Sequence, residues 1–239
     1  MDCDTVPEPV QHDIQSNFVS IASHELRTPL AVMQSIAELL EIQVKQGHTP
    51  EATVLIENVT QLKSEINRMN NLIDEILTIS KIENANIKPV KEKVNIVAII
   101  QQVIDRNNVL QADHRKIVFI HGEDEIPALV DKQLLAHILD NLISNAFKYS
   151  IGKPAPELTC SVSSNLFSVT IKDFGLGIPR HQQKNIFQTF FRAENTASIK
   201  GSGLGLFIVK AFTALHNGTV SFNSTENKGS VFTISLPTD

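Results

Sequence analysis

The chain has 239 residues, of which 20% are charged and 42% hydrophobic, with a formal net charge of −5. That length predicts two domains with proper cores, and the acidic balance excludes a general nucleic-acid-binding surface. Cys3 and Cys160 lie far apart without metal-ligand spacing, which excludes a disulfide framework or a zinc site and fits a reducing compartment.

No apolar run approaches the roughly 20 residues that span a bilayer. The opening MDCDTVPEPVQHD is too polar for a signal peptide. The expectation is a soluble, cytoplasmic chain without membrane contact, whether by itself or as the cytosolic part of a longer membrane protein.

The first element is a helix over 14–46. Ala22, Leu26, Leu30, Met33, Ala37, Leu40 and Val44 fall on one face at about 100° per residue. His24, in the stretch SHELRTPL, lies about 200° round from Ala22 and faces solvent. Glu25 is placed to accept a hydrogen bond from one ring nitrogen, leaving the other free to attack; an exposed, salt-bridging Glu and an inert His give the same pattern. Pro29 removes one backbone hydrogen bond and bends the helix at a cost of about 3 kcal/mol. A bend beside an exposed nucleophile gives a partner access. Thr28 follows His24 by one turn on the same face.

Gly47-His48-Thr49-Pro50 breaks the helix, with Thr49 as N-cap and Pro50 at the first position of the next. There Leu55, Val59, Leu62, Ile66, Met69, Ile73 and Ile76 repeat at alternating four and three spacing, a coiled-coil-like seam. One narrow stripe per helix buries too little for a hairpin to stand alone, so two hairpins are expected to pair as a four-helix bundle in a homodimer.

After Asn84 the heptad stops, and ENANIKPVKEKVNI reads as a linker. Strands are then predicted at 92–96, 116–121, 158–163, 167–172, 219–223 and 230–236, with helices at 97–111, 132–149, 180–188 and 204–215. That mixture is an α+β sandwich with its helices on one face.

Chemistry clusters within this second part. The helix LLAHILDNLISNAFKYS sets Asn141, Asn145 and Lys148 along one side, although asparagine is a mediocre helix former. Amide oxygens bind a hard cation such as Mg²⁺, and a lysine offers a point charge to phosphate; a solvated polar face is the alternative. In KDFGLGIP, Asp173 leads into a turn through Gly175 and Gly177, suited to accepting a hydrogen bond from an amino group while backbone approaches a planar ring. TASIKGSGLGLFIVK carries Gly201, Gly203 and Gly205 directly before an apolar helix, an arrangement that grips phosphate. It follows no strand and lacks a Lys-Ser/Thr after its last glycine, so neither the dinucleotide fold nor the P-loop fits.

Together these stretches resemble the catalytic core of a sensor histidine kinase of two-component signalling. SHELRTPL resembles the phospho-acceptor box, NLISNAFKYS the asparagine box, DFGLGIP the first glycine box, IFQTFFR the phenylalanine box and GSGLGLFIVK the second glycine box. The resemblance implies a dimerisation and phosphotransfer hairpin over 14–88. It implies an ATP-binding α/β sandwich of the Bergerat (GHKL) type over 92–239. It further implies ATP and Mg²⁺ as cofactors, and autophosphorylation of His24 with Glu25 as neighbouring base. A response-regulator receiver domain is the implied partner, with Thr28 serving reversal of the signal.

By the same resemblance Asn145 is the magnesium ligand, and Asn141 and Lys148 reach phosphate and the metal shell. Tyr149 lies at the nucleotide, and Asp173 reads the adenine amino group in a pocket shaped by Gly175 and Gly177. Phe187, Phe190 and Arg192 anchor a mobile lid over 191–202. Gly201, Gly203, Leu204 and Gly205 form its hinge and the phosphate turn, and Ser230 completes the pocket. Phe174 and Phe191 depart from the family pattern, where a small polar residue and tyrosine are common. An Hsp90- or MutL-type ATPase would need a water-activating carboxylate in the asparagine-box helix, and Asp140 falls off its phosphate side by helical count. A non-catalytic dimeric scaffold would lack nucleotide binding.

Overall fold

The computed structural model describes residues 8–46, 51–111, 113–197 and 199–239, with backbone alone for 8–17. The predicted break at Gly47–Pro50, with its Thr49 cap, lies outside the described residues. The chain divides between Ser80 and Lys81 into two compact units.

The first unit is a helical hairpin of α1 (Glu8–Lys45) and α2 (Ala52–Glu83). Among the residues whose burial is described, Ala22, Pro29 and Ile36 are the buried positions of α1, and Glu65, Leu72 and Ile79 those of α2. Both sets repeat every seventh residue, the period that keeps a seam on one side of a gently supercoiled helix. This differs from the stripes read in the sequence. Leu30, Val44, Leu55, Val59, Ile66 and Ile73 are exposed, so half of the expected seam faces outward from a single chain. No helix among the described residues is long and apolar enough to cross a membrane.

The second unit is a two-layer sandwich. A five-stranded sheet runs in the order β2-β4-β5-β7-β6, formed by β2 (Val118–His121), β4 (Glu157–Ser163), β5 (Leu166–Lys172), β6 (Thr219–Thr225) and β7 (Gly229–Pro237). β2 pairs parallel to β4 and the other neighbours pair antiparallel. Strand alternation sends Leu158, Cys160, Phe167, Val169, Ile171, Ile234 and Leu236 into the core. Hydroxyl pairs Ser168 with Ser235 (2.7 Å) and Thr170 with Thr233 (2.9 Å) lie on the other face. Helices α3 (Ile96–Val109), α4 (Lys132–Tyr149) and α5 (Gly205–Leu215) cover the core side.

Two predicted elements need correction. β1 (Glu92–Asn95) joins no predicted strand; it pairs with β3 (Pro127–Val130), to which the sequence assigns no element, in a separate two-stranded sheet. The helix expected at 180–188 is only a 3₁₀ turn, Arg180–Asn185, without a buried residue. With no apolar stripe to bury, a short segment has nothing to offset the cost of helix nucleation.

The central helix α4 is fixed at both ends. Asp131 caps its start, accepting from Gln133 and Leu134 N–H. The Asp131 N–H donates to Nε2 of buried His216, whose Nδ1 donates to Phe212 O, 2.8 Å away. At the other end the Arg115 guanidinium donates to Phe147 O (3.1 Å) and Ser150 O (2.7 Å), carbonyls at the helix end that also accept the Ser150 and Lys153 N–H. It stands 5.4 Å from the centre of the Phe147 ring. Arg115→Ala removes this charged donor from carbonyls that keep only one backbone N–H each, and should cost about 2 kcal/mol in urea unfolding. A loss below about 1 kcal/mol would mean that water replaces the guanidinium.

Candidate functional site

A pocket open to solvent lies in the second unit between α4, the turn after β5, residues 191–196 and the start of β7. The core stripe of α4 runs through Leu135, Ile138, Leu139, Leu142, Ile143, Ala146 and Phe147. Residues offset from that stripe, Asn141, Asn145, Lys148 and Tyr149, therefore line up beside the sheet rather than under it.

Asp173 directly follows β5 at the cavity wall and is 7% exposed. Its Oδ1 accepts from Gly175 N–H at 2.8 Å, and its own N–H donates to Ser230 O at 2.9 Å. Burial lifts its carboxyl above the ordinary range, against the lowering pull of these backbone hydrogen bonds. The turn then crosses α4, where Leu176 N–H donates to Tyr149 O. A Cβ at Gly175 would overlap that same carbonyl. Gly177 takes φ +60°, and a Cβ there would collide with Thr225 backbone, so both conformation and space call for glycine.

Asn145 lines the cavity, and among the described residues its amide makes no hydrogen bond. Asn141 donates from Nδ2 to His137 O at 3.0 Å, which leaves its carbonyl oxygen for another partner. A Cβ at Gly205 would overlap that oxygen, and one at Gly201 would overlap Lys148 Nζ. The second glycine segment is thus laid directly along the Asn141–Lys148 side of α4. Gly203, at φ +76°, turns the chain past Phe190 and Phe191 backbone. Leu204 is fully buried and precedes α5, whose first amides have no side-chain cap. Such an uncapped start suits an anion.

Asn145, Tyr149, Asp173, Gly177, Arg192 and Ser230 line one cavity. Asn141, Lys148, Gly175, Gly201, Gly203, Leu204 and Gly205 stand behind or beside it. Phe187 does not line it: its ring meets Phe222 edge-on at 5.9 Å, with Lys210 Nζ 5.8 Å from its centre. Arg192 donates from Nη2 to the carbonyls of Thr196 (2.8 Å) and Ile199, which ties the 192–199 segment together. Tyr149 has its phenol pushed up by burial, with the Arg192 charge opposing. Lys148 Nζ lies 4.9 Å from its ring centre. Phe174 carries Lys172 Nζ 4.5 Å from its ring centre and is not part of the cavity lining.

Sequence reasoning missed a set of polar supports. Asn195 donates to Gly177 O at 3.0 Å, Gln182 accepts from Glu194 N–H, and Gln183 donates to both Ile178 O and Ser224 O. Except for Gln183 and Ile178, 5 residues apart, these partners lie 12 to 41 residues apart and leave no local pattern to read. Leu142, Ala146, Leu206 and Phe232 also line the cavity. In the sequence these are indistinguishable from ordinary core positions.

In the first unit His24 and Thr28 are exposed on α1, and Pro29 sits inside the helix with its ring buried. Thr28 Oγ1 donates to His24 O at 3.3 Å. Glu25 is turned towards α2, with Oε2 3.7 Å from Arg68 Nη2; Arg68 also meets Glu65 at 3.5 Å. The carboxylate is thus engaged by a guanidinium instead of the neighbouring imidazole.

Residues 14–85 match the His Kinase A (phospho-acceptor) domain, and residues 130–239 match the family described as histidine kinase-, DNA gyrase B- and HSP90-like ATPase. Sensor histidine kinase WalK of Bacillus subtilis is 31% identical over 226 residues, covering 92% of this chain and 36% of the relative. Sensor protein kinase WalK of Staphylococcus haemolyticus is 34% identical over 224 residues, with the same coverage. The chain therefore spans about a third of these relatives' length. Among solved structures, the Acinetobacter baumannii histidine kinase AdeS shares the fold at TM-score 0.69 and 24% identity, covering 90% of this chain and 98% of AdeS. Full-length ShkA, solved in complex with AMPPNP, does so at TM-score 0.67 and 23% identity, over 93% of this chain and 45% of ShkA. With a phospho-acceptor hairpin followed by an ATPase-type sandwich, the chain belongs to the sensor histidine kinases of two-component signalling and spans their catalytic core.

Proposed function

We propose that this chain accepts the γ-phosphoryl group of ATP on His24 and passes it to an aspartate of a response-regulator receiver domain. The observation that carries the reading is that Asp173 and Asn145 line one cavity while the 201–205 glycine segment lies along the Asn141–Lys148 side of the same helix, in a chain that also exposes His24 on a proline-containing helix. In this reading residues 14–88 receive the phosphoryl group and residues 92–239 hold the nucleotide. A bound Mg²⁺–ATP supplies the phosphoryl group and the cation that neutralises its charge.

The chain's own side chains divide the work. The Asp173 carboxylate accepts from an exocyclic amino group. The Asn145 amide oxygen ligates the cation; among the described residues no cluster of three His, Cys, Asp or Glu offers an alternative site. A single amide ligand suits Mg²⁺, which keeps waters and phosphate oxygens in its shell. Lys148 and the amides at the start of α5 hold the phosphates. His24 offers an imidazole lone pair; Glu25 can serve it only after leaving Arg68. Asp140, the carboxylate that a water-activating ATPase would require, is bound to Arg106 and to Asn107 Nδ2 (2.8 Å) on α3. That engagement favours the kinase reading over hydrolysis. A cytoplasmic setting fits the buried free thiol of Cys160.

The direct test is incubation with γ-labelled ATP and Mg²⁺, then acid and alkali treatment. An acid-labile, alkali-stable label is expected; an acid-stable label would overturn the assignment.

The outward apolar positions of α2 support a homodimer, because Ile66 is 48% and Ile73 40% exposed in a single chain. Ile66→Asp should give monomers by light scattering, and a dimeric variant would show that this face is not the interface. Thr28 supports a second activity, release of phosphate from the regulator, through a hydroxyl that positions water one turn from His24. Thr28→Ala should keep autophosphorylation while slowing loss of phosphate from purified phospho-regulator. Unchanged loss would confine Thr28 to its bond with His24 O.

A further inference from the structure

Ser224 is not among the cavity-lining residues, yet two cavity-lining elements, the turn after β5 and the start of β7, meet on its hydroxyl. Ile178 N–H donates to Ser224 Oγ at 2.8 Å, Ser230 Oγ lies 3.0 Å away, and Gly229 O lies at 3.2 Å. Ser224 and Ser230 are cross-strand partners in the β6–β7 ladder, and the Asp173 N–H bond to Ser230 O extends the row to β5. Asp173, just past the end of β5, therefore stands in one row with Ser230 and Ser224 on the neighbouring strands β7 and β6.

A hydroxyl has one proton and two acceptor sites. Only one assignment uses all of them at Ser224. It accepts from Ile178 N–H and from the Ser230 hydroxyl, and donates its own proton to Gly229 O. The reverse assignment, with Ser224 donating to Ser230, leaves the half-buried Gly229 contact unmade. In the full assignment the Ser230 proton is directed away from the cavity, and only lone pairs of its oxygen remain beside the Asp173 carboxylate. Two adjacent acceptors favour a ligand edge rich in donors and penalise a carbonyl.

We propose that Ser224 is a positioning residue for base recognition, holding the Ser230 hydroxyl as an acceptor so that the cavity selects a 6-amino purine over a 6-oxo purine. This rests on the reading of the cavity as a nucleotide site. Without Ser224, the Ser230 proton is free to rotate inward and donate to a 6-oxo group.

ADP and IDP, which differ at that position of the base, are the probes, titrated calorimetrically into the full chain with Mg²⁺ present. Wild type should prefer ADP. Ser224→Ala should shrink the ADP-to-IDP affinity ratio by about tenfold, while Ser224→Thr, which keeps the hydroxyl, should retain it. Ser230→Ala should also shrink the ratio, and adding Ser224→Ala to it should change nothing further, since the group being oriented is gone. Parallel loss of both nucleotides in Ser224→Ala, with the ratio intact, would overturn the proposal and leave Ser224 a packing residue. So would a further drop in the double variant. Failure of wild type to bind ADP would instead overturn the nucleotide-site reading beneath it.

Discussion

His24→Ala is expected to take up no label from γ-labelled ATP while still binding ADP as wild type does. Asn145→Ala should also remain unlabelled, for the opposite reason: its acceptor is intact and its cation site is lost. The two variants separate acceptor from donor because they lie in different units, so neither change disturbs the other's packing. His24 is exposed on α1 and Asn145 makes no hydrogen bond among the described residues, so neither truncation opens a core. Both variants should therefore unfold at the wild-type urea midpoint, within about 0.5 kcal/mol. Full labelling of His24→Ala would place the acceptor elsewhere. Full labelling of Asn145→Ala would remove the amide from the metal shell. Because Asn141 still presents its carbonyl oxygen beside Gly205, an intermediate rate in Asn145→Ala would point to that neighbour as a substitute ligand.

Much of the site was legible because its residues violate local preference. Two asparagines in mid-helix, a buried aspartate leading into glycines, and three glycines opening a helix each cost helix or strand stability, and such conflicts gather at functional positions. The unread parts have equally physical causes. β3 begins with Pro127, which cannot donate to a ladder and belongs only at a strand's first residue or edge. Glu25 is next to His24 in sequence, but about 100° separates adjacent helical residues, and that rotation carries it towards Arg68. The apolar stripes of the hairpin were read as one seam. Of the stripe residues only Ala22 is buried within the chain; the other buried apolar positions, Ile36, Leu72 and Ile79, lie beside the stripes, while Leu30, Ile66 and Ile73 face outward. Periodicity marks a residue as apolar-facing without saying whether the neighbour is its own chain or a second copy. Ser224 sits 46 residues from Ile178, and a contact of that span has no signature in a single sequence.

Asp173→Asn should weaken adenine-nucleotide binding severely without harming the fold. The asparagine Oδ1 can still accept from Gly175 N–H, so the turn is kept. Its Nδ2, however, presents donors where the amino group of the base needs an acceptor. Loss of one charge-assisted hydrogen bond, with donor facing donor, should weaken ADP by about two orders of magnitude. Stability should move the other way. Burial raises the Asp173 pKa, so the folded chain binds this proton more tightly than the unfolded chain. Its contribution to stability is therefore greatest at low pH and falls as pH rises through the interval between the ordinary carboxylate value and the raised one. Above that interval the buried charge is a standing cost, which an uncharged asparagine removes. At neutral pH Asp173→Asn should thus unfold at a urea concentration equal to or higher than wild type, and the advantage should vanish at acid pH. ADP affinity of wild type should fall as pH descends into the same interval, because only the ionised carboxylate accepts from the amino group. A variant that unfolds earlier and still binds ADP would show that Asp173 holds the turn and not the base.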